Sequence, residues 1–90
     1  MKHNREYNLG KSIKLQRLSI DMLQKELAKV LKTQTYTISD YECGRTEPDI
    51  NMIRRMCVFF DISADELLGL NDIKVRKEIE EQLCIKELAG

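Results

Sequence analysis

The chain is poor in most residues that carry catalytic or metal chemistry. It has one histidine, one proline, four glycines and three cysteines in 90 residues, and no net charge. Each scarcity excludes something. The single histidine, His3, lies in the polar N-terminal stretch MKHNREYN, where a solvated tail residue is the better reading than a ligand or nucleophile. Cys43, Cys57 and Cys84 are odd in number, far apart and without a Cys-x-x-Cys pairing. No disulfide framework and no zinc site is therefore expected, and reduced thiols in a cytosol fit the pattern. There is no glycine-rich phosphate loop and no nucleophile elbow, so no enzyme, catalytic residue, cofactor or metal is expected. No apolar run is long enough to span a bilayer and the N-terminus does not read as a signal peptide, so a cytoplasmic protein without membrane partners is expected. Zero net charge also argues against holding nucleic acid by bulk charge alone.

What remains is an ordinary soluble balance, 42% hydrophobic and 33% charged, sized for one small domain with a single core. Charge is slightly uneven. Residues 1–49 carry nine Lys/Arg and seven Asp/Glu, or +2, against six and eight, or −2, in residues 50–90. The difference favours the first half as the side facing a polyanion.

The stretch Gln24 to Gly44, QKELAKVLKTQTYTISDYECG, organises the chain. Leu27, Ala28 and Leu31 share one face of a helix from about Gln24 to Leu31, and Ile38 and Tyr41 share one face of a second from about Gln34 to Tyr41. Only Lys32 and Thr33 separate them, too few for an antiparallel hairpin, so the two helices must cross steeply. The second then presents Gln34, Thr35, Tyr36, Ser39 and Asp40 outward. Short polar side chains near a helix N-terminus are what a helix in the DNA major groove offers to base edges. Two core helices with a merely solvated face fit the same spacing.

Elsewhere the pattern is helical throughout. Residues 1–8 read as a polar arm, in which Lys2, His3 and Arg5 are cations within reach of a phosphate backbone. A helix from Leu9 to about Ile20 is expected, with Asn8 as N-cap, Leu9, Ile13 and Ile20 facing inward, and Arg17 close to that face and in need of a partner. Gly44 suits a left-handed helix end, and Pro48 closes the following loop. A helix from about Asp49 to Phe60 should bury Ile50, Ile53, Met56, Cys57 and Phe60, which leaves Met52 and Phe59 on another side as a candidate partner surface. Ser63 and Glu66 have capping-box spacing before Leu67 and Leu68. From Asp72 to Leu88 an amphipathic helix is expected, with Ile79 and Leu83 on its stripe, as a dimerisation or partner-binding element.

The segments LGKSIKLQR, QKELA, TISDYECGRTEP and ISADELLGL resemble, in order and spacing, the helix-turn-helix DNA-binding domains of the phage lambda repressor/Cro (Xre-like) family. The resemblance covers Leu9 to Leu70. It implies an all-α fold, a five-helix lambda-repressor-like DNA-binding bundle over residues 9–70, to which residues 71–90 add a C-terminal amphipathic helix. It also implies phosphate contacts by Gln24, by the backbone N–H of Cys43 and by Arg45, groove-facing roles for Gln34, Thr35, Tyr36 and Asp40, and an internal salt bridge between Arg17 and Glu42.

Three departures from the family pattern stand out. Lys32 occupies a turn position where glycine is usual; a positive φ there would cost about 1 kcal/mol, and Lys32 gains a candidate phosphate contact. Leu23 stands where Ser or Thr would cap the second helix, at a cost of about 1 kcal/mol. The recognition helix contains no Lys or Arg. The functional expectation is a homodimeric, sequence-specific regulator of double-stranded DNA, a repressor acting on a pseudo-palindromic operator, with Met52, Phe59, Ile79 and Leu83 as dimerisation candidates. The alternative is an antitoxin-like or assembly protein that works through protein–protein contacts of its terminal helix.

Overall fold

A computed structural model describes residues 8–83. They form six helices: α1 (Leu9–Ser19), α2 (Gln24–Leu31), α3 (Thr35–Cys43), α4 (Ile50–Phe60), α5 (Ala64–Leu68) and α6 (Ile73–Leu83). The expected all-α architecture is present, and no strand occurs among the described residues. The arm cations Lys2, His3 and Arg5, and the end of the terminal helix from Cys84 to Leu88, lie outside the described residues.

Short polar side chains start four of the helices, and at α6 Asp72 Oδ1 accepts from the Lys74 N–H at 2.8 Å. Asn8 Oδ1 accepts from the Lys11 N–H at 3.0 Å, Asp49 Oδ1 from Met52 at 2.9 Å, and Ser63 Oγ from Glu66 at 3.0 Å. Each satisfies an amide that has no partner inside its helix. At α2 the capping residue is Leu23, which has no acceptor. Glu26 reaches back instead, and its Oε1 accepts from the Leu23 N–H at 2.8 Å. Half of a capping box therefore survives the loss of Ser or Thr.

One device ends α1 through α5. The residue after each of α2 to α5 (Lys32, Gly44, Asp61 and Gly69), and the second residue after α1 (Asp21), turns left-handed. The next N–H then bonds the carbonyl five residues back: Met22 to Arg17, Thr33 to Ala28, Arg45 to Asp40, Ile62 to Cys57, and Leu70 to Asp65, at 2.8–3.1 Å. This Schellman closure reverses the chain within two residues, which is why eleven or fewer residues per helix suffice to build a bundle. Glycine fills two of the five positions, and Asp, which tolerates this conformation better than most residues, fills two more. Lys32, at φ 59°, is the strained one.

Ile13, Leu27, Ala28, Leu31, Ile38, Met52, Met56 and Leu67 form one buried cluster, flanked by Leu9, Tyr41, Ile53 and Phe60. The expected inward face of α4 is present at Ile53, Met56, Cys57 and Phe60 and differs in its first turn. Met52 is 6% exposed and belongs to the core, whereas Ile50 is 69% exposed. Asp49 caps the helix rather than joining it, so the first turn begins at Ile50 and the inward stripe runs Met52–Met56. Met52 is therefore no partner-surface residue. Phe59 is half-buried and stacks at a tilt on Phe60, ring centroids 5.2 Å apart. Ile20, expected inside, is exposed because α1 stops at Ser19 and the turn carries Ile20 outward.

Glycine matters structurally at Gly10. A Cβ on this residue would lie 2.7 Å from the Glu42 carbonyl oxygen and closer still to that of Tyr41. α1 and α3 thus touch backbone to backbone, and only glycine permits it.

Candidate nucleic-acid interface

α3 has two faces. Ile38 is fully buried and Tyr41 packs on the core, which fixes the helix axially and in rotation. The opposite face carries Thr35, Tyr36, Ser39, Asp40 and Cys43, spaced at one and four residues, so that all lie on one side. Tyr36 is 69% exposed, although it is one of only five aromatic residues in the chain. Gln34 is the N-cap rather than the first helical residue, with extended backbone, and α3 runs on to Cys43. The helix therefore sits one residue further along than the periodicity indicated. Gln34 projects ahead of the helix and not along its face.

A buried polar network holds this helix to the rest of the bundle. Arg17 on α1 donates through Nε to Glu42 Oε2 at 2.7 Å and through Nη2 to Glu42 Oε1 at 3.0 Å, a bidentate pair. Its Nη1 donates to the Met22 carbonyl at 2.7 Å. Gln24 Nε2, at the start of α2, donates to the same Glu42 Oε1 at 3.0 Å. One carboxylate on α3 thus receives donors from α1 and α2, so the relative placement of all three helices is set at a single point. The pairing with Glu42 raises the Arg17 pKa against an opposing effect of burial. The expected Arg17–Glu42 bridge is present, and the awkward arginine has its partner.

The structure brings together two candidate residues that the sequence reading treated singly. Arg45 Nη1 donates to Asp40 Oδ1 at 2.9 Å, and the Arg45 N–H bonds the Asp40 carbonyl at 2.9 Å. Side chain and backbone are both tied across the end of α3. The ion pair is exposed and adds little stability. Its consequence is electrostatic, because the single acid on the outward face is neutralised and the loop cation is aimed along the helix.

Cys43 is exposed at the end of the same face, next to Arg45. Lys32 is exposed in the turn before α3, and Gln24 is half-exposed at the start of α2. Gln24, Lys32, Cys43 and Arg45 thus all have solvent access around the polar face. The missed contributor is Gly10, which sets how closely α1 approaches α3. A lone glycine near a helix start carries no periodic signal, so only the packing reveals it.

Among the described residues no group of His, Cys, Asp and Glu is placed to hold a metal ion, and no helix is long and apolar enough to cross a membrane.

The comparison with known proteins agrees with this geometry. The Helix-turn-helix family profile matches residues 13–67. The HTH-type transcriptional regulator ImmR of Bacillus subtilis is 29% identical over 73 residues, which are 81% of this chain and 58% of that protein. The chain thus spans little more than half the length of this curated relative. A crystal structure of the P22 c2 repressor in complex with a synthetic operator superposes with a TM-score of 0.65 at 26% identity, covering 69% of this chain and 94% of the repressor chain. A transcriptional regulator from Listeria innocua superposes with a TM-score of 0.67 at 26% identity, over 94% of this chain and 92% of its own. With more than half its length matched, the chain belongs to the helix-turn-helix family of Xre/Cro type, a family of DNA-binding transcriptional regulators rather than enzymes.

Proposed function

We infer that the protein is a sequence-reading repressor that binds double-stranded DNA as a homodimer, with α3 in the major groove of each half of a pseudo-palindromic site. The observation that carries this reading is the outward polar face of α3, held by Arg17, Glu42 and Gln24 on a helix that cannot rotate without breaking the core. A reading helix needs that rigidity, since base discrimination depends on placing donors and acceptors within hydrogen-bond distance.

Thr35 and Tyr36, in the first turn of α3, are assigned to base edges and to the thymine methyl, and Gln34 and Ser39 to the groove walls. Asp40 is assigned to orienting Arg45 rather than to direct readout, because its carboxylate is already paired. Arg45, Lys32 and the free polar atoms of Gln24 serve the phosphates, whereas the Cys43 N–H, expected to do so, is the last donor inside α3. A single recognition helix reads only a few base pairs, so two copies about one helical turn apart are needed for a specific site.

Selection from a random duplex pool tests this reading. An inverted repeat of fixed spacing is expected. Tyr36→Ala should change the sequence recovered, whereas Arg45→Ala should weaken all duplexes and lower the salt dependence by about one phosphate contact. No enrichment at low salt would refute sequence reading and leave a protein-binding role for α6 as the account of function.

A further inference from the structure

A groove of about 490 Å³ opens between the end of α2 and the outer side of α4. Its floor is Val30, Val58 and Phe59, and its rim is Lys32, Arg54 and Arg55. Val58 is 82% exposed, more than any other large hydrophobic side chain among the described residues. The lining holds three cations and no acid. Arg55 is tied back to the Leu31 carbonyl at 3.3 Å, but Arg54 and Lys32 meet no described acidic side chain. An apolar floor inside a purely cationic rim is complementary to an apolar stripe flanked by acids.

The chain carries such a stripe. Residues 78–83 of α6, EIEEQL, contain three glutamates and no Lys or Arg. Ile79 and Leu83 are four apart on one face, with Glu80 beside both. The helix is anchored at its start by buried Val75 and by Arg76, whose Nη1 donates to the Leu70 carbonyl at 3.1 Å. Toward the end of the described part, Leu83 is 59% exposed. No residue of α6 lines the groove of its own domain.

Resting on the homodimer reading above, we propose that the α2–α4 groove receives the acidic end of α6 from a second copy of this chain, each copy filling the other's groove. Leu83 and Ile79 lie against Val30, Val58 and Phe59, and Glu80, which flanks both on α6, faces Arg54 and Arg55. The contact is isologous and occurs twice per dimer, which doubles the area buried by a short helix segment. Arg54 and Arg55 lie on α4, behind the turn that leads into α3, so the partner's helix leaves the reading face open. Lys32 stands at the boundary between the two surfaces.

Sedimentation equilibrium of the full chain without DNA tests this. The wild type should be a dimer. Val58→Asp, at an exposed site where the fold is unaffected, and Arg54→Glu should each raise the dimer dissociation constant about tenfold or more, because the lost contact recurs and a like-charge clash replaces it. Adding Glu80→Arg to Arg54→Glu should bring the constant back to within about threefold of wild type, since the reversed pair restores the attraction. Circular dichroism confirms that each variant keeps its helix content. A dimer whose constant is unmoved by Val58→Asp and Arg54→Glu, or not restored by the charge swap, overturns the groove while leaving the homodimer reading intact. A wild type that stays monomeric overturns both.

Discussion

Replacing Arg17 by Met should be among the most damaging single changes available to this chain. Glu42 and Arg17 side chains are 3% and 8% exposed, so neither charge is appreciably screened by solvent. The substitution keeps an unbranched side chain in place but removes both guanidinium bonds to Glu42 and the bond to the Met22 carbonyl. Glu42 would retain only Gln24 as a donor. An uncompensated buried charge of this kind costs about 3–5 kcal/mol. Glu42→Leu should cost a similar amount by stranding the guanidinium. Changing both residues together removes the charges as well as the bond, and should return the stability to within about 1 kcal/mol of wild type or above it. The assay is urea unfolding followed by circular dichroism. With a slope of about 1–3 kcal/mol per M for a small domain, each single variant should lower the midpoint by about 2 M. The total stability of a domain this size is about 5–15 kcal/mol, so the single variants sit near the limit of folding while the double variant does not. Two single variants within about 1 kcal/mol of wild type, or a double variant whose loss is their sum, would refute the claim that this network fixes α3 to α1 and α2.

Three further outcomes follow from the same coordinates. Gly10→Ala places a methyl against the Tyr41 and Glu42 carbonyls and must push α1 from α3; a loss of about 1–3 kcal/mol, or a thermal midpoint lower by about 5–20 °C, is expected in a calorimetric scan. Lys32→Gly relieves a left-handed lysine and should raise stability by about 1 kcal/mol, or about 4–8 °C, and a lower midpoint would show that the lysine makes a stabilising contact worth more than the strain. Burial raises the pKa of the Cys57 thiol above its ordinary 9.0, and burial followed by the nearby Asp49 charge raises that of Tyr41 above 10.0. Both groups hold their protons more tightly when folded. Their contribution is therefore fully present below pH 9.0 and is lost as pH climbs above the ordinary thiol value. Denaturation midpoints should fall over that range, and Cys57→Ala should remove the earlier part of the fall. A flat profile through pH 10.0 would contradict both shifts.

By itself the sequence determined the elements and their kind. Leu27, Ala28, Leu31 and Ile38 recur at helical spacing, and Asn8 and Ser63 accept the amides at their helix starts. Gly44 is the residue type that a left-handed stop favours. These are local signals, readable because neighbours three or four apart on a helix meet whatever else the chain does. The polar face of α3 and the Arg17–Glu42 pair were legible through the family's spacing of motifs. Tertiary structure alone decided how faces were turned and which polar groups met. In the first turn of α4 Met52 joined the core while Ile50 stayed at the surface, beside the cap at Asp49. Asp40 paired with Arg45 because the Schellman turn at Gly44 folded the loop back onto α3. Gly10 became indispensable only when two backbones came into contact, and the cationic groove joined Val30 to Val58 across 27 residues of intervening chain. Local periodicity sets which side of a helix is apolar. The turn between two helices sets what that side will touch.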